Sequence, residues 1–245
     1  MNSVEYDRMA EREQTYWWHV GRLKILDSYV GRYCSDRSNV KLLNVGCGTG
    51  GTLPMLEKYG TVDNVDTAAA AIKYMKRRGY TRVTKVDGSK LPFRPASYDI
   101  VAAFDVLEHI SDDVDALREW SRVLKPGGRI LLSVPAYQWL WSMHDVSLHH
   151  KRRYTRSRLQ KTAQTAGLEL VRGSYAIVAP LPFIVLFRLL RSFSKKKVTA
   201  ETSYVSVPRF LNQFAVGLLS IEAWLHTYIR FPLGTSLVVV LKRHD

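Results

Sequence analysis

Leu42 to Gly51 read Leu-Leu-Asn-Val-Gly-Cys-Gly-Thr-Gly-Gly, an apolar run that breaks into closely spaced glycines. Without Cβ atoms such a stretch turns tightly and lets a ligand approach the backbone. The N–H groups at the start of the helix that follows can then satisfy the ligand's polar atoms. The alternative is a tight turn with a purely structural role. Asp66 closes the next apolar stretch, sixteen residues after Gly50. A carboxylate at a strand end there can accept both hydroxyls of a ribose. Asp63 competes, but its place inside Val62-Asp63-Asn64-Val65 suits a turn or an edge. Asp87 ends a third stretch and can accept from an exocyclic amine, or can simply cap the turn Asp87-Gly88-Ser89. Together the three features point to a nucleoside ligand more strongly than any one alone.

A second set of reactive side chains follows later. Trp139-Leu140-Trp141-Ser142-Met143-His144-Asp145 leads into His149-His150-Lys151-Arg152-Arg153-Tyr154. Histidine exchanges protons near neutral pH, so His144 is the first candidate for a general base, with His149 or His150 behind it. Arg152 and Arg153 can clamp a phosphate or carboxylate. The alternative is a solvated basic loop. Trp141, Asp145 and Tyr154 complete this substrate-side set, and Tyr16, Trp18 and Arg22 form another in Tyr16-Trp17-Trp18-His19-Val20-Gly21-Arg22. Three successive rings cannot all face one core, so one should face a pocket, a lid or a bilayer. The spacing of His144, His149 and His150 with Asp145 lacks a tight Cys/His framework, and no metal is expected.

Positioning these groups requires alternating strands and helices. Strands are expected at Val40–Val45, Thr61–Val65, Arg82–Val86, Tyr98–Phe104 and Arg129–Val134, with helices near Leu53–Lys58, Ala68–Arg78 and Asp113–Leu124. Pro126-Gly127-Gly128 reads as a helix stop before the fifth strand. A helix over Thr155–Ala166, a strand over Leu168–Arg172 and a last strand over Ser236–Leu241 complete the pattern. The parts are then an N-terminal helical cap (1–39), a core (40–174), a helical amphipathic insertion (175–234) and a final strand with the C-terminus (235–245).

The 245 residues can bury one large core without disulfides, and two cysteines, Cys34 and Cys47, fit a reducing compartment. The start has no basic-then-apolar leader, so a cytoplasmic location is expected. A net charge of +14 draws anionic partners without choosing among nucleic acid, lipid headgroups and phosphorylated compounds. The insertion suggests which. Ala176–Phe187 carries no charge and is too short to span a bilayer, and Lys195 to Lys197 follow it. A helix over Pro208–Tyr228 presents Phe210, Leu211, Phe214, Leu218, Ile221 and Leu225. This fits an interfacial hairpin on an anionic membrane surface, with a lid buried in a homodimer as the alternative.

The residues Asn44 to Gly50, Val65-Asp66, Asp87 with Leu91-Pro92-Phe93, Ser97 to Val101, Val106-Leu107-Glu108-His109-Ile110 and Leu124 to Gly128 together resemble the class I S-adenosylmethionine-dependent methyltransferases, in particular their small-molecule and lipid group. The resemblance implies an α/β, Rossmann-like seven-stranded sheet whose last strand is antiparallel, with the helical insertion between the final two strands. It implies S-adenosylmethionine as cofactor. Gly46, Gly48 and Gly50 would pass beside the methionine portion, Asp66 would hold the ribose and Asp87 would approach the adenine amine. Asn44, Cys47, Thr67, Gly88 and Phe104 complete the expected cofactor set. Phe104 and Asp105 would line the transfer pocket, with Asp105 a catalytic candidate, and Tyr16 to Arg22 would fold over the cofactor. Asn44 departs from the family's usual acid and supplies no charge. The Trp, His-Asp and His-x-Arg-Arg-Tyr pattern of Trp141 to Tyr154 resembles one subgroup. The expected activity is O-methylation of a lipid-like or lipid-linked, anionic acceptor. The alternatives are a soluble small molecule, RNA, or a non-catalytic cofactor-binding subunit. Nucleic acid is disfavoured, because Phe104-Asp105-Val106-Leu107 replaces an Asn-Pro-Pro-Tyr loop and no RNA-binding module is recognisable. The glycine spacing also departs from the Gly-x-Gly-x-x-Gly of nicotinamide enzymes.

Overall fold

The computed structural model describes residues 3–34, 39–86, 90–182 and 207–243. Seven strands form one sheet: β1 (Val40–Val45), β2 (Gly60–Asp66), β3 (Val83–Lys85), β4 (Tyr98–Phe104), β5 (Leu124–Pro135), β6 (Leu168–Ala176) and β7 (Ser236–Arg243). Their order is β3-β2-β1-β4-β5-β7-β6. Strands β1 to β5 pair in parallel, whereas β7 runs antiparallel to both β5 and β6. This is the expected Rossmann-like sheet with its reversed last strand.

The side-chain period of two along a strand explains why both faces are apolar. In β4, Val101 and Ala103 join one core layer, while Ile100, Ala102 and Phe104 join the other. The first layer is completed by Ala116, Leu117 and Trp120 of α5 (Asp113–Val123) and by Leu159 and Ala163 of α7 (Arg156–Thr165). The second is covered by Ile25, Leu26, Tyr29 and Val30 of α2 (Trp17–Cys34), Met75 of α4 (Ala69–Arg77), and Leu219 and Ala223 of α8 (Arg209–Leu225). The described residues also form α1 (Ser3–Thr15) and the short helices α3 (Leu53–Leu56) and α6 (Met143–Ser147).

Most element boundaries differ from expectation by one or two residues, and those around β5 and β6 differ for a structural reason. Helix α5 stops one residue earlier, and Leu124 already pairs with Tyr98. The chain then loops out through Pro126-Gly127-Gly128 before Arg129 resumes the ladder opposite Ile100. Strand β6 extends four residues past Arg172, because Gly173 to Ala176 keep pairing with Val239 to Ser236 of β7.

The insertion and the N-terminal cap are joined. Asn212 of α8 accepts from the Trp17 backbone N–H (2.8 Å) and donates to the Thr15 carbonyl (2.9 Å), at the break between α1 and α2. Gly21 of α2 lets Leu219 approach so closely that a Cβ would lie 2.2 Å from its methyl. The buried Glu222 accepts from the Ile177 and Val178 N–H groups just past β6, fixing α8 to the sheet edge. The opposite face of α8 is exposed and apolar: Phe210, Leu211, Phe214, Leu218, Ile221 and Trp224. Leu225 is half-buried instead. The segment from Phe183 and the Lys195 to Lys197 cluster lie outside the described residues. No described helix is long and apolar enough to cross a membrane.

Candidate active site

The strand order reverses between β1 and β4, the place where open α/β sheets leave a crevice at the carboxyl ends of their strands. The glycine turn follows β1 into that crevice. Gly48 has φ +52°, and a Cβ placed on it would meet nothing within 4 Å, so the turn has open space above it. Asp66 ties the turn to β2: one carboxylate oxygen accepts from Gly48 N–H and the other from Ala68 N–H, both at 2.8 Å. A carboxylate has about four acceptor positions, so capacity remains for ribose hydroxyls. Asp63 is engaged structurally, ion-paired with Arg82 at 2.8 Å and accepting from Tyr98 at 2.9 Å. This separates the two candidate acids.

Asn44 is buried and donates to Asn64 at 2.9 Å. Cys47 is buried as well, and burial together with the Asp66 charge pushes its thiol up to about 12. Thr67 is exposed beside Asp66. Asp87 and Gly88 lie outside the described residues.

Helix α1 adds a residue that the spacing of the motifs did not suggest. Glu13 accepts a hydrogen bond from Thr49, and its carboxylate lies where a Cβ on Gly51 would stand. Burial raises the Glu13 pKa against the opposing effects of Thr49, Arg22 and Arg78. A carboxyl group therefore borders the glycine turn on the side where Asn44 supplies none.

Helix α2 reaches the end of β4. Arg22 forms an ion pair with Asp105 at 2.6 Å, and Asp105 accepts from the Ser133 hydroxyl of β5 at 2.9 Å. Asp105 has φ +57°, a left-handed conformation unfavourable for a side-chain-bearing residue and held here by Arg22 and Ser133. Phe104 precedes it, nearly buried. Trp18 lies under the Arg22 guanidinium at 5.5 Å and meets His19 edge-on, and the Tyr16 ring lies 6.3 Å from that of His19. Burial, reinforced by Arg22, lowers the His19 pKa to about 4. The segment Tyr16 to Arg22 thus forms a polar and aromatic wall latched to the strand end.

The second loop is less open than its composition suggests. Arg153 holds both oxygens of the buried Asp145, at 2.7 and 3.0 Å, and Arg152 pairs with Asp113 at 3.0 Å. Tyr154 is fully buried and donates to Asp113 at 2.8 Å. These groups build the loop. Burial opposes ionisation of Asp145, yet hydrogen bonds from His150 and Arg153 outweigh it and hold its pKa below the ordinary carboxylate value. Trp141 is half-buried, whereas His144 and His149 are exposed. Partial desolvation of its ring lowers the His144 pKa.

His150 is the histidine that the fold brings to the end of β4. There it meets His109 edge-to-face, with ring centroids 4.7 Å apart, and approaches the carboxylate of Glu108 at 3.9 Å. Neither Glu108 nor His109 had been assigned a role. The available signal was the Leu-Glu-His triplet directly after β4, which folds as a single 3-10 turn.

Residues 43–132 match the family model described as "Methyltransferase domain". The chain is 31% identical over 163 residues to a "Probable S-adenosylmethionine-dependent methyltransferase" of Mycolicibacterium smegmatis, a match covering 64% of this chain and 61% of that protein's length. It is 28% identical over 195 residues to the ubiquinone biosynthesis O-methyltransferase of Saccharophagus degradans, covering 68% and 80% respectively. Among solved structures, the methyltransferase bound to the Haloferax volcanii Trm112 activator superposes with a TM-score of 0.63 at 17% identity, over 99% of this chain and 96% of that one. Geranyl diphosphate methyltransferase gives a TM-score of 0.60 at 15% identity, over 92% and 90%. At these identities the superpositions speak for the fold.

Proposed function

We propose that this chain, which carries a methyltransferase domain on a class I fold and takes S-adenosylmethionine as its cofactor, methylates an oxygen of a lipid-like acceptor met at a membrane surface. One observation carries the acceptor class. The helix α8 that packs its inner face on α2 turns Phe210, Phe214, Ile221 and Trp224 outward, and α2 is the helix whose Arg22 reaches the end of β4. A surface that gathers apolar acceptors is therefore one helix away from the pocket wall. The +14 charge adds attraction to anionic headgroups, and the likeness to a ubiquinone biosynthesis O-methyltransferase supports oxygen as the acceptor atom.

The bound cofactor supplies a methyl group on a sulfonium. The rest falls to this chain. The open turn at Gly48 receives the methionine portion, and Asp66 accepts from the ribose hydroxyls. Glu13 supplies the charge for the cofactor's ammonium that Asn44 cannot. Phe104, Asp105, Arg22 and Trp18 wall the space in which the acceptor oxygen is aligned with methyl and sulfur, and alignment is the main demand of an in-line displacement. The test is transfer of labelled methyl from S-adenosylmethionine to lipid, soluble and RNA fractions of the host. Label in the lipid fraction is the expected result; label confined to the soluble or RNA fraction overturns the acceptor class.

A further inference from the structure

Glu108 is fully buried, and neither of its carboxylate oxygens has a hydrogen-bond partner. An unpaired carboxylate is among the most costly groups to bury, and natural structures pair it with a cation or a metal. Burial, with the Asp105 charge close by, pushes its pKa well above the ordinary value.

Arg22 and Arg153 favour the charge of Glu108, but neither bonds to it. Asp145 Oδ1 lies 2.9 Å from His150 Nδ1, and Asp145 is itself anchored by Arg153 and the Ser142 N–H. With Asp145 accepting the proton on Nδ1, the other ring nitrogen of His150, Nε2, is the atom that faces Glu108. Two electron-pair donors thus face each other 3.9 Å apart. A third is near: the ligating atoms of Glu108, His109 and His150 all lie within 4.8 Å of one another. His109 is exposed, so the cluster opens to solvent on that side.

We propose that Glu108, His109 and His150 bind one divalent cation of the zinc class, with an open coordination position on the His109 side that takes the acceptor's oxygen. Two imidazoles and one carboxylate make a donor set typical of catalytic sites that keep a position free, and imidazole disfavours magnesium and calcium. Asp145 acts as the outer carboxylate that orients a ligating imidazole. Donors around a tetrahedral zinc ion stand about 3.3 Å apart, so the three side chains need shifts on the order of 1 Å to close on it. The expectation from His144, His149, His150 and Asp145 that there is no metal gives way to a different ligand set centred on the Leu-Glu-His turn.

The use of the cation rests on the methyl-transfer reading; its binding does not. A hydroxyl on the open position loses its proton to water more readily, because the cation stabilises the oxyanion. The oxygen then forms the O–CH3 bond as the S–CH3 bond breaks. The products are the methyl ether, neutral S-adenosylhomocysteine and one proton.

The test begins with chelator-stripped protein titrated with Co(II), followed by its visible absorption, and with Zn(II) in competition. One equivalent per chain is expected. Glu108→Gln and His109→Ala should each weaken binding at least about 100-fold, while calorimetric affinity for S-adenosylhomocysteine stays unchanged and reports an intact fold. His109 is exposed, so its variant carries little folding risk. Wild-type protein that binds well under one equivalent, or variants that bind as tightly as wild type, overturns the site. Transfer to the acceptor that is undiminished after stripping, in protein shown to bind Co(II), overturns the role given to the cation. Stoichiometric Co(II) with no S-adenosylhomocysteine binding upholds the site and removes the methyl-transfer reading.

Discussion

Asp66 and Glu13 border the same turn but answer to different parts of the cofactor, which gives them separable signatures. Asp66→Ala should weaken S-adenosylmethionine and methylthioadenosine alike, by about 1–3 kcal/mol, because both carry the ribose. Glu13→Gln should weaken only S-adenosylmethionine, about 10-fold or more, since methylthioadenosine has no ammonium. Calorimetry with the two ligands checks both, and an equal loss with Glu13→Gln would assign it to the turn rather than to the charge. His19 makes a further prediction. Its folded pKa of about 4 lies below its ordinary 6.5, so the unfolded chain takes up the proton first. The stabilisation from neutral His19 is complete above pH 6.5 and is lost as pH falls towards 4, by at most about 3 kcal/mol. The difference in urea stability between wild type and His19→Gln should shrink steadily across that window. Asp66 could be told from Asp63 in the sequence because strand ends, unlike strand interiors, face the crevice. Glu13 could not: it lies 36 residues from Thr49, on a helix with no motif of its own. Arg152 and Arg153 looked free because a sequence displays a basic run but not the carboxylates of Asp113 and Asp145 folded against it.

At the level of elements, the α2–α8 seam depends on one missing side chain. Gly21→Ala should destabilise the protein by about 1–3 kcal/mol through overpacking against Leu219. Combining it with Leu219→Ala should cost less than the sum of the two single changes, because each relieves the other. Denaturant titration of the four proteins gives the coupling, and strict additivity would mean that the helices are not in contact there. Strands β1, β4 and β5 were legible because each holds a short apolar run ended by glycine, an acid or proline, and Tyr98–Phe104 was bounded to the residue. Helix α8 was recognised as amphipathic, but its pattern could not say which stripe is covered. The sheet edge and α2 take the narrow line of Leu219, Glu222 and Ala223, where small and hydrogen-bonded side chains permit close approach, and the bulkier stripe is left outside.

Across the whole molecule, an outward apolar stripe and a net charge of +14 act on the same kind of surface by different forces. Binding to vesicles containing phosphatidylserine should weaken as salt rises, since only the Coulomb attraction is screened. Replacing Phe210, Phe214 and Ile221 with serine should lower it even at low salt. Co-sedimentation measures both, and binding unchanged by salt and by the serines would place the membrane contact elsewhere.

The junction between cap and insertion also sets an order of events during synthesis. The Trp17 N–H finds Asn212, its partner in α8, only 195 residues later in the chain. A ribosome adding about 5–20 residues per second reaches that partner roughly 10–40 seconds after α2 has emerged. Until then the line through Gly21, Ile25 and Tyr29 has nothing from α8 to rest against, and the N-terminal helices wait as an unfinished wall. The glycine turn can form early from β1 and β2, whereas its cover is completed almost last. Ribosome-bound chains halted before Arg209 should therefore be cut by protease within α2 far faster than the complete protein.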